Sequence, residues 1–360
     1  MSDIKIRNKG ISVSREAVSS VLGAFSYSKS LLQVEISALS GVGEMTVSRA
    51  VRLLKSEGVL DAKEEVDGCG LNKRHTVYPR DVASMLVLDL SGATFRAVLL
   101  DTSLSYLSEL EHIYNPTLDF EDNLRKFLNL AQINGLIEKW KAREVIHTLP
   151  YSPRRRERMR RSRAKRIAAL VARMKRSFSP IVRLGLILPD GETGNSLPVC
   201  LPPKARINKT VGEILERDAD ALLSAREAFL IGAPSVIASC SSVATLANAR
   251  SMLLLGGDAL FGDCHYLVLL CRKEARAHWG LPDGAAKSLA ITALKQGVAI
   301  DKSLRRLTAF FEPDIVAVDK CLKAKVDVNA VSWSDREAVT VGAAILLRDS
   351  AWREYREMEN

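Results

Sequence analysis

Apolar residues recur at helical spacing three times within the first sixty positions. Val13, Ala17, Val18, Val21 and Leu22 predict a first helix of about three turns. A second fits Leu32 to Leu39, with Val34 and Ile36 among its apolar members, and Ser40-Gly41-Val42-Gly43 closes it as a short turn. A third begins near Glu44 and runs to Gly58, a residue suited to the left-handed conformation of a helix end. Its apolar face is Val47, Ala50, Val51 and Leu54, which leaves Thr46, Ser48, Arg49 and Arg52 largely outside. Val59-Leu60 and His75-Thr76-Val77-Tyr78 then predict two strands around the turn-rich DGCGLNKR. Helix, helix, tight turn, helix and ribbon is the winged helix-turn-helix order, over residues 1–80.

From Met85 the pattern changes. MLVLDLSGATFRAVLLD predicts two buried strands around Ser91-Gly92, and helical periodicity follows over Phe120–Ala131 and Ile133–Lys141. RLGLILPDG predicts a buried strand that stops at Pro189-Asp190-Gly191. Further strands are expected at Ser235–Ala238, His265–Cys271 and Ile315–Val318, with a helix over Ala285–Phe311 and a terminal helix from Ser334 carrying GAAILL. Strands interleaved with helices indicate an α/β body in two lobes, 81–200 and 201–333, with the helix of 334–360 returning to the first. No internal repeat of fixed period stands out.

Composition adds little until charge is located. The 360 residues are 47% apolar and 26% charged, the mix of a globular chain with ample core. No window reaches the roughly 18–20 apolar residues of a membrane span, and MSDIKIRNKG has no signal core, so no membrane partner and a cytoplasmic location are expected. The six cysteines include no CxxC pair, which fits a reducing compartment and argues against a zinc ribbon or disulfide framework. The net charge of +10 comes from one place: residues 152–176 hold 12 Lys/Arg and a single acid, Glu157, and the rest of the chain nets −1.

The chemistry of the first eighty residues suits double-stranded DNA. A recognition helix lies in the major groove and reaches bases and phosphates with its exposed side chains. Thr46 and Ser48 are short donors there, and Arg49 and Arg52 can pair with guanine or phosphate. Lys73 and Arg74 at the wing tip are placed to reach a neighbouring groove or the backbone. The plainer alternative is a winged-helix protein-interaction scaffold. The basic segment 152–176 adds either salt-dependent phosphate contacts or only a solvated helix face.

Read from Met85 onward, the chain resembles the ROK family of repressors, uncharacterised reading frames and sugar kinases. MLVLDLSGATFRAVLLD is similar to that family's phosphate-binding hairpin, RLGLILPDG to its Gly-x-x-x-Pro-Gly strand end, and IGAPSVIASCSSVATLA to the strand and helix around its Asn-Asp-Ala-Asn motif. HYLVLLCRKEARAHWGLPDG, FFEPDIVAVD and VGAAILL resemble later pieces in the same order. The resemblance implies a two-lobed actin-like/sugar-kinase (ribonuclease H-like) body and a homodimer.

The departures from that pattern bear on activity. Asp89 and Gly92 stand in the hairpin, but Ser91 and Ala93 replace its first glycine and its threonine. Ser239-Cys240-Ser241-Ser242 stands where the family carries its general base, so Cys240 replaces the carboxylate; a thiol with its usual pKa near about 8.5 is a poor substitute. The second phosphate loop reads Cys271-Arg272-Lys273-Glu274-Ala275, and its side chains would obstruct phosphate. The sugar clamp and zinc segment have no counterpart after Gly284. Cys240 as a nucleophile would need a partnered histidine, and no local motif supplies one; a small buried residue at a strand end is the plainer expectation. Trp279, Trp333 and Trp352 are equally placed as pocket or core.

These readings converge on a non-enzymatic transcription regulator, a repressor by resemblance, with no metal or cofactor. Asp89, Gly92, Thr94 and Cys240 form a vestigial ligand site for a sugar-like effector, should there be one. A sugar kinase with a DNA-binding head is the enzymatic alternative.

Overall fold

The computed structural model of the chain describes residues 5–8, 11–66, 73–140, 181–188, 202–241, 245, 249, 251–256, 265–271, 288–294 and 300–359. It opens with an antiparallel hairpin of β1 (Lys5–Asn8) and β2 (Ile11–Ser14). The Ser14 hydroxyl accepts from the Ala17 amide at 3.2 Å, and this cap begins α1 (Arg15–Ala24). Val13, expected in the helix, is therefore a buried residue of β2. After β3 (Leu31–Leu32), α2 (Gln33–Ser40) starts where the Leu32 amide donates to Glu35 Oε2 at 2.7 Å. Gly41, at φ 68°, ends it in the left-handed region that favours glycine. Then come α3 (Glu44–Ser56), β4 (Leu60–Val66) and β5 (Lys73–Pro79), with Gly58 at φ 78° turning the chain out of α3. The strands form an antiparallel sheet in the order β3-β5-β4. Val18, Leu22, Ile36, Val51 and Leu54 fill the space between the three helices.

Next follow β6 (Ala83–Asp89), β7 (Thr94–Asp101), β8 (Tyr106–Ile113), α4 (Phe120–Ile133) and a short helix at 136–140. Then come β9 (Ile181–Leu188), α5 (Lys204–Leu215), β10 (Ala221–Ser224) and α6 (Ala225–Cys240). The last stretch holds β11 (Ser251–Gly256), β12 (His265–Cys271), β13 (Ser288–Leu294), α7 (Ile300–Phe311), β14 (Ile315–Asp319), β15 (Val331–Trp333) and α8 (Asp335–Glu359). The strands assemble into two five-stranded sheets, ordered β10-β9-β6-β7-β8 and β13-β12-β11-β14-β15. Both are the same device: an antiparallel meander of three strands, with the fourth and fifth added parallel on the side of the first. The body is thus a mixed α/β structure built by duplication.

The helix that follows the fifth strand is the hinge of each half. Its sequence is SAREAFLIGA from Ser224 and SDREAVTVGA from Ser334, 110 residues later, a repeat too short to show as a fixed period along the chain. The two helices, α6 and α8, cross at their equivalent glycines. A Cβ on Gly232 would lie 1.8 Å from the Ala338 carbonyl oxygen, and one on Gly342 would lie 1.7 Å from that of Ala228, so the backbones are in direct contact.

Two expectations fail here. Ser235–Ala238 is not a strand but the last part of α6. Its Val-Ile pair and Pro234 read locally as a strand, yet the capping box of Ser224 and Glu227 nucleates a helix that runs through them. The helix expected over Ala285–Phe311 is β13 followed by α7; β13 pairs with β12 across its length.

The N-terminal helices dock on this hinge. Arg348 of α8, fully buried, donates from Nη1 to the Phe25 carbonyl at 3.2 Å and from Nη2 to the Ser26 hydroxyl at 2.7 Å. Its guanidinium stacks 4.2 Å from the centre of the Trp352 ring. The Ser235 hydroxyl of α6 donates to the Ser26 carbonyl. Trp333, buried as well, donates from Nε1 to the Leu255 carbonyl at 3.3 Å, so both tryptophans are core. Among the described residues no helix is long and apolar enough to cross a membrane.

Candidate nucleic-acid interface

The turn between α2 and α3 is braced from within. The Ser37 hydroxyl donates to the Val42 carbonyl at 2.6 Å, and the Val42 amide donates to Ser40 Oγ at 3.2 Å. This fixes the entry to α3, whose Val47, Ala50, Val51, Leu53 and Leu54 are buried. Met45, Arg49 and Arg52 are exposed on the opposite side, and Thr46 and Ser48 are half-buried at its edges. Positions 45, 48, 49 and 52 follow the three- and four-residue spacing of a single helix face.

Arg49 reaches only the Met45 sulfur, at 3.7 Å, and among the described residues neither Arg49 nor Arg52 has an acidic partner. In the body Arg96, Arg125, Arg183, Arg206, Arg217 and Arg305 pair with carboxylates, while exposed Arg306 and Arg353 are like Arg49 and Arg52 in having none among the described residues; what distinguishes α3 is that its two lie one turn apart on one helix face. Two uncompensated guanidiniums one turn apart can accept phosphate or the edge of guanine. Lys73 and Arg74 stand on β5 opposite Val66 and Glu65, at the end of the β4–β5 ribbon where the chain passes from one strand to the other.

The four residues of the body site are not brought together by any hydrogen bond. Asp89 ends β6, and its Oδ1 accepts from the Ser91 amide at 3.0 Å and the Ser91 hydroxyl at 2.5 Å. Burial pushes its carboxyl above the usual range, against the opposing pull of Ser91, Arg96 and Arg336. Thr94 begins β7, and a side chain on Gly92 would meet nothing nearer than 4.0 Å. Cys240 is exposed in the last turn of α6, its Sγ 3.7 Å from Ser239 Oγ. The expectation of a small buried residue at a strand end is wrong for it on both counts, because the capped helix carries it outward. Residues 152–176, Pro189-Asp190-Gly191, the phosphate-loop positions 272–275, Trp279 and Gly284 lie outside the described residues. Among the described residues no group of three His, Cys, Asp or Glu side chains is arranged to hold a metal ion.

No family model matches the chain, and no curated protein does. Solved structures do. One is a ROK family transcriptional regulator, a homologue of the E. coli MLC protein, at 9% identity and a TM-score of 0.43 over 95% of this chain and 98% of that one. An activator of 2-hydroxyisocaproyl-CoA dehydratase from Clostridium difficile is similar over 77% of this chain and 98% of that one, at 9% identity and a TM-score of 0.35. A ROK family protein from Streptococcus pneumoniae in complex with sucrose follows at 9% identity, a TM-score of 0.32, and 76% and 99% coverage.

Two residues with a place in this geometry carry no motif of their own, and a third does. Arg348 sits in an ordinary helical stretch, and only its buried partners reveal it. Lys29 lies in the Tyr27–Ser30 turn between α1 and β3. Glu337 was open to detection, since the S-x-R-E-A-x-x-x-G-A repeat pairs it with Glu227.

Proposed function

We propose that the chain is a DNA-binding transcription regulator whose residues 1–80 act as a winged helix-turn-helix. The observation that carries this reading is the pair Arg49 and Arg52: exposed, one turn apart on α3, and without a carboxylate partner among the described residues, on a helix whose entry is braced and whose far side is buried. Exposed guanidiniums left unneutralised are what a phosphate backbone or a guanine edge would complete. Thr46 and Ser48 flank them as short donors, and Lys73 and Arg74 extend the same chemistry along the ribbon. In this reading the α/β body from residue 81, whose first sheet runs on through β10 at Ser224 rather than ending at the expected lobe boundary of 200/201, holds two copies together. A two-fold dimer would then present two α3 helices to half-sites about one helical turn apart or a multiple of it.

The body is read as kinase-inactive, repression as the sign of control, and the cytoplasm as the compartment; these follow from the resemblance and from Cys240 in place of a carboxylate. Asp89 is tied to Ser91, so a sugar-like effector at Asp89, Gly92, Thr94 and Cys240 is the weakest part of the resemblance. Selection from random-sequence duplexes at near-physiological salt tests the whole reading. Enrichment of a two-fold symmetric element is expected; a pool unchanged after several rounds contradicts it.

A further inference from the structure

Where the N-terminal helices meet the hinge, the chain lines a half-open pocket of about 510 Å³. One wall is the turn from Phe25 to Lys29, directly after α1; the other combines the end of α6, the start of α8 and the β7–β8 turn. Its size falls in the range of small-ligand sites.

The charges in its walls are the informative part. In the first half of the body the Glu227 carboxylate closes its capping box, accepting from the Ser224 amide at 3.0 Å. Its repeat partner Glu337 keeps only the other half of that motif: its amide donates to Ser334 Oγ at 3.4 Å, while its carboxylate takes no hydrogen bond among the described residues and lines the cavity. Lys29 lines the same cavity from the N-terminal side, likewise without an ion-pair partner among the described residues. Tyr106, Leu104, Val236 and Val341 add an apolar lining, and the hydroxyls of Ser28, Ser103 and Ser239, which also line it, are already donated to Ser30, Asp101 and Val236.

A cation and an anion without ion-pair partners among the described residues, beside apolar side chains, suit a zwitterion with an apolar tail. We propose that this cavity binds a zwitterionic α-amino acid with a large apolar side chain, its carboxylate on Lys29 and its ammonium on Glu337. Glu337 is half-buried and Lys29 exposed, so the carboxylate, the less solvated of the two, would gain more from a ligand that brings the opposite charge. The ligand would touch the N-terminal turn and the hinge at once, beside the Arg348 and Ser235 contacts that already hold Ser26, and so would stabilise the docked arrangement. The proposal stands apart from DNA binding and holds or fails without it.

Calorimetric titration and thermal melts of the full chain test it, with leucine, methionine and phenylalanine as probes. Leucine methyl ester and N-acetyl-leucine each remove one charge, and glucose serves as the hydroxyl-rich neutral control. At least one free amino acid is expected to bind and raise the melting temperature, with both blocked analogues tenfold or more weaker. Glu337→Gln and Lys29→Met should each weaken binding at least tenfold, whereas Glu227→Gln, which disturbs the equivalent cap, should leave it unchanged. Circular dichroism confirms that each variant is folded. Absence of binding by all three amino acids at millimolar concentration overturns the proposal, as does equal binding by folded Glu337→Gln and Lys29→Met, or binding of glucose in their place.

Discussion

Replacing Gly342 with alanine probes the seam on which both halves of the body and the N-terminal helices depend. The added Cβ would lie 1.7 Å from the Ala228 carbonyl oxygen. Carbon and oxygen in ordinary contact stand about 3.3 Å apart, so α6 and α8 must separate by roughly 1.5 Å. A gap of even about 0.5–1 Å forfeits a quarter to a half of the dispersion attraction across it. Overpacking costs about 1–3 kcal/mol where side chains can yield, and a backbone obstacle puts this site at the upper end, about 3 kcal/mol. Alanine's better helix propensity offsets about 1 kcal/mol of that, leaving a net loss of about 2 kcal/mol. At roughly 2–4 °C per kcal/mol for domains of this order, the melting temperature should fall by about 4–8 °C. Differential scanning calorimetry reads this directly, and Gly232→Ala should behave alike. Gly23→Ala is the control: it sits in α1 with nothing within 4 Å of a new Cβ, and it should melt at or slightly above the parent. Should Gly342→Ala melt with the parent, the two helices are not in backbone contact and the hinge is wrongly described.

Arg49→Ala should lower affinity for the selected duplex by about 5- to 150-fold, the 1–3 kcal/mol of a lost guanine or phosphate contact, with the melting temperature unchanged. A large drop in melting temperature would instead make Arg49 structural. For Asp89, burial raises the folded-state pKa, so the fold prefers the neutral acid, and the stability this gives is lost as pH rises through that pKa. Asp89→Asn should therefore raise the melting temperature at pH 7 and lose its advantage as pH falls below about 3, where the parent carboxyl is protonated in the unfolded chain as well as in the fold; destabilisation at neutral pH would contradict this. The Cys321 thiol donates to Asp319 Oδ1 at 2.6 Å, and that hydrogen bond pushes its pKa up to about 11. Despite its exposure, alkylation of Cys321 at pH 8 followed by peptide mapping should be slow and should accelerate toward pH 11. Labelling at the rate of a free cysteine, with a pKa near about 8.5, would refute the bond.

The elements with clean periodicity and a capped end were legible from sequence. α3 declares itself through Val47, Ala50, Val51 and Leu54 and through Gly58; β6 and β7 do so through two apolar runs around Ser91-Gly92. Elsewhere a stronger, more distant signal prevailed over the local one. Val236-Ile237 beside Pro234 reads as a strand until the capping box that begins at Ser224, eleven positions before Ser235, is weighed. β13 lies in an alanine-rich stretch and owes its conformation to pairing with β12, which no local pattern records. β8 alternates too weakly to stand out because it is an edge strand with much of one side in solvent. At the candidate interface the identities of Arg49 and Arg52 were readable but their lack of partners was not, since ion pairing is a property of the packed surface. Cys240 shows the reverse: its identity suggested a buried site, and the helix carrying it turned it outward.

The central claim is that α3 reads DNA sequence, and parallel recovery of sheared genomic DNA by the parent and by Arg49→Ala, sequenced at near-physiological salt, tests it most directly. The account predicts a few strongly enriched fragments sharing a two-fold symmetric element for the parent and their loss in the variant. Uniform recovery by both proteins, fading together as salt rises, would contradict it.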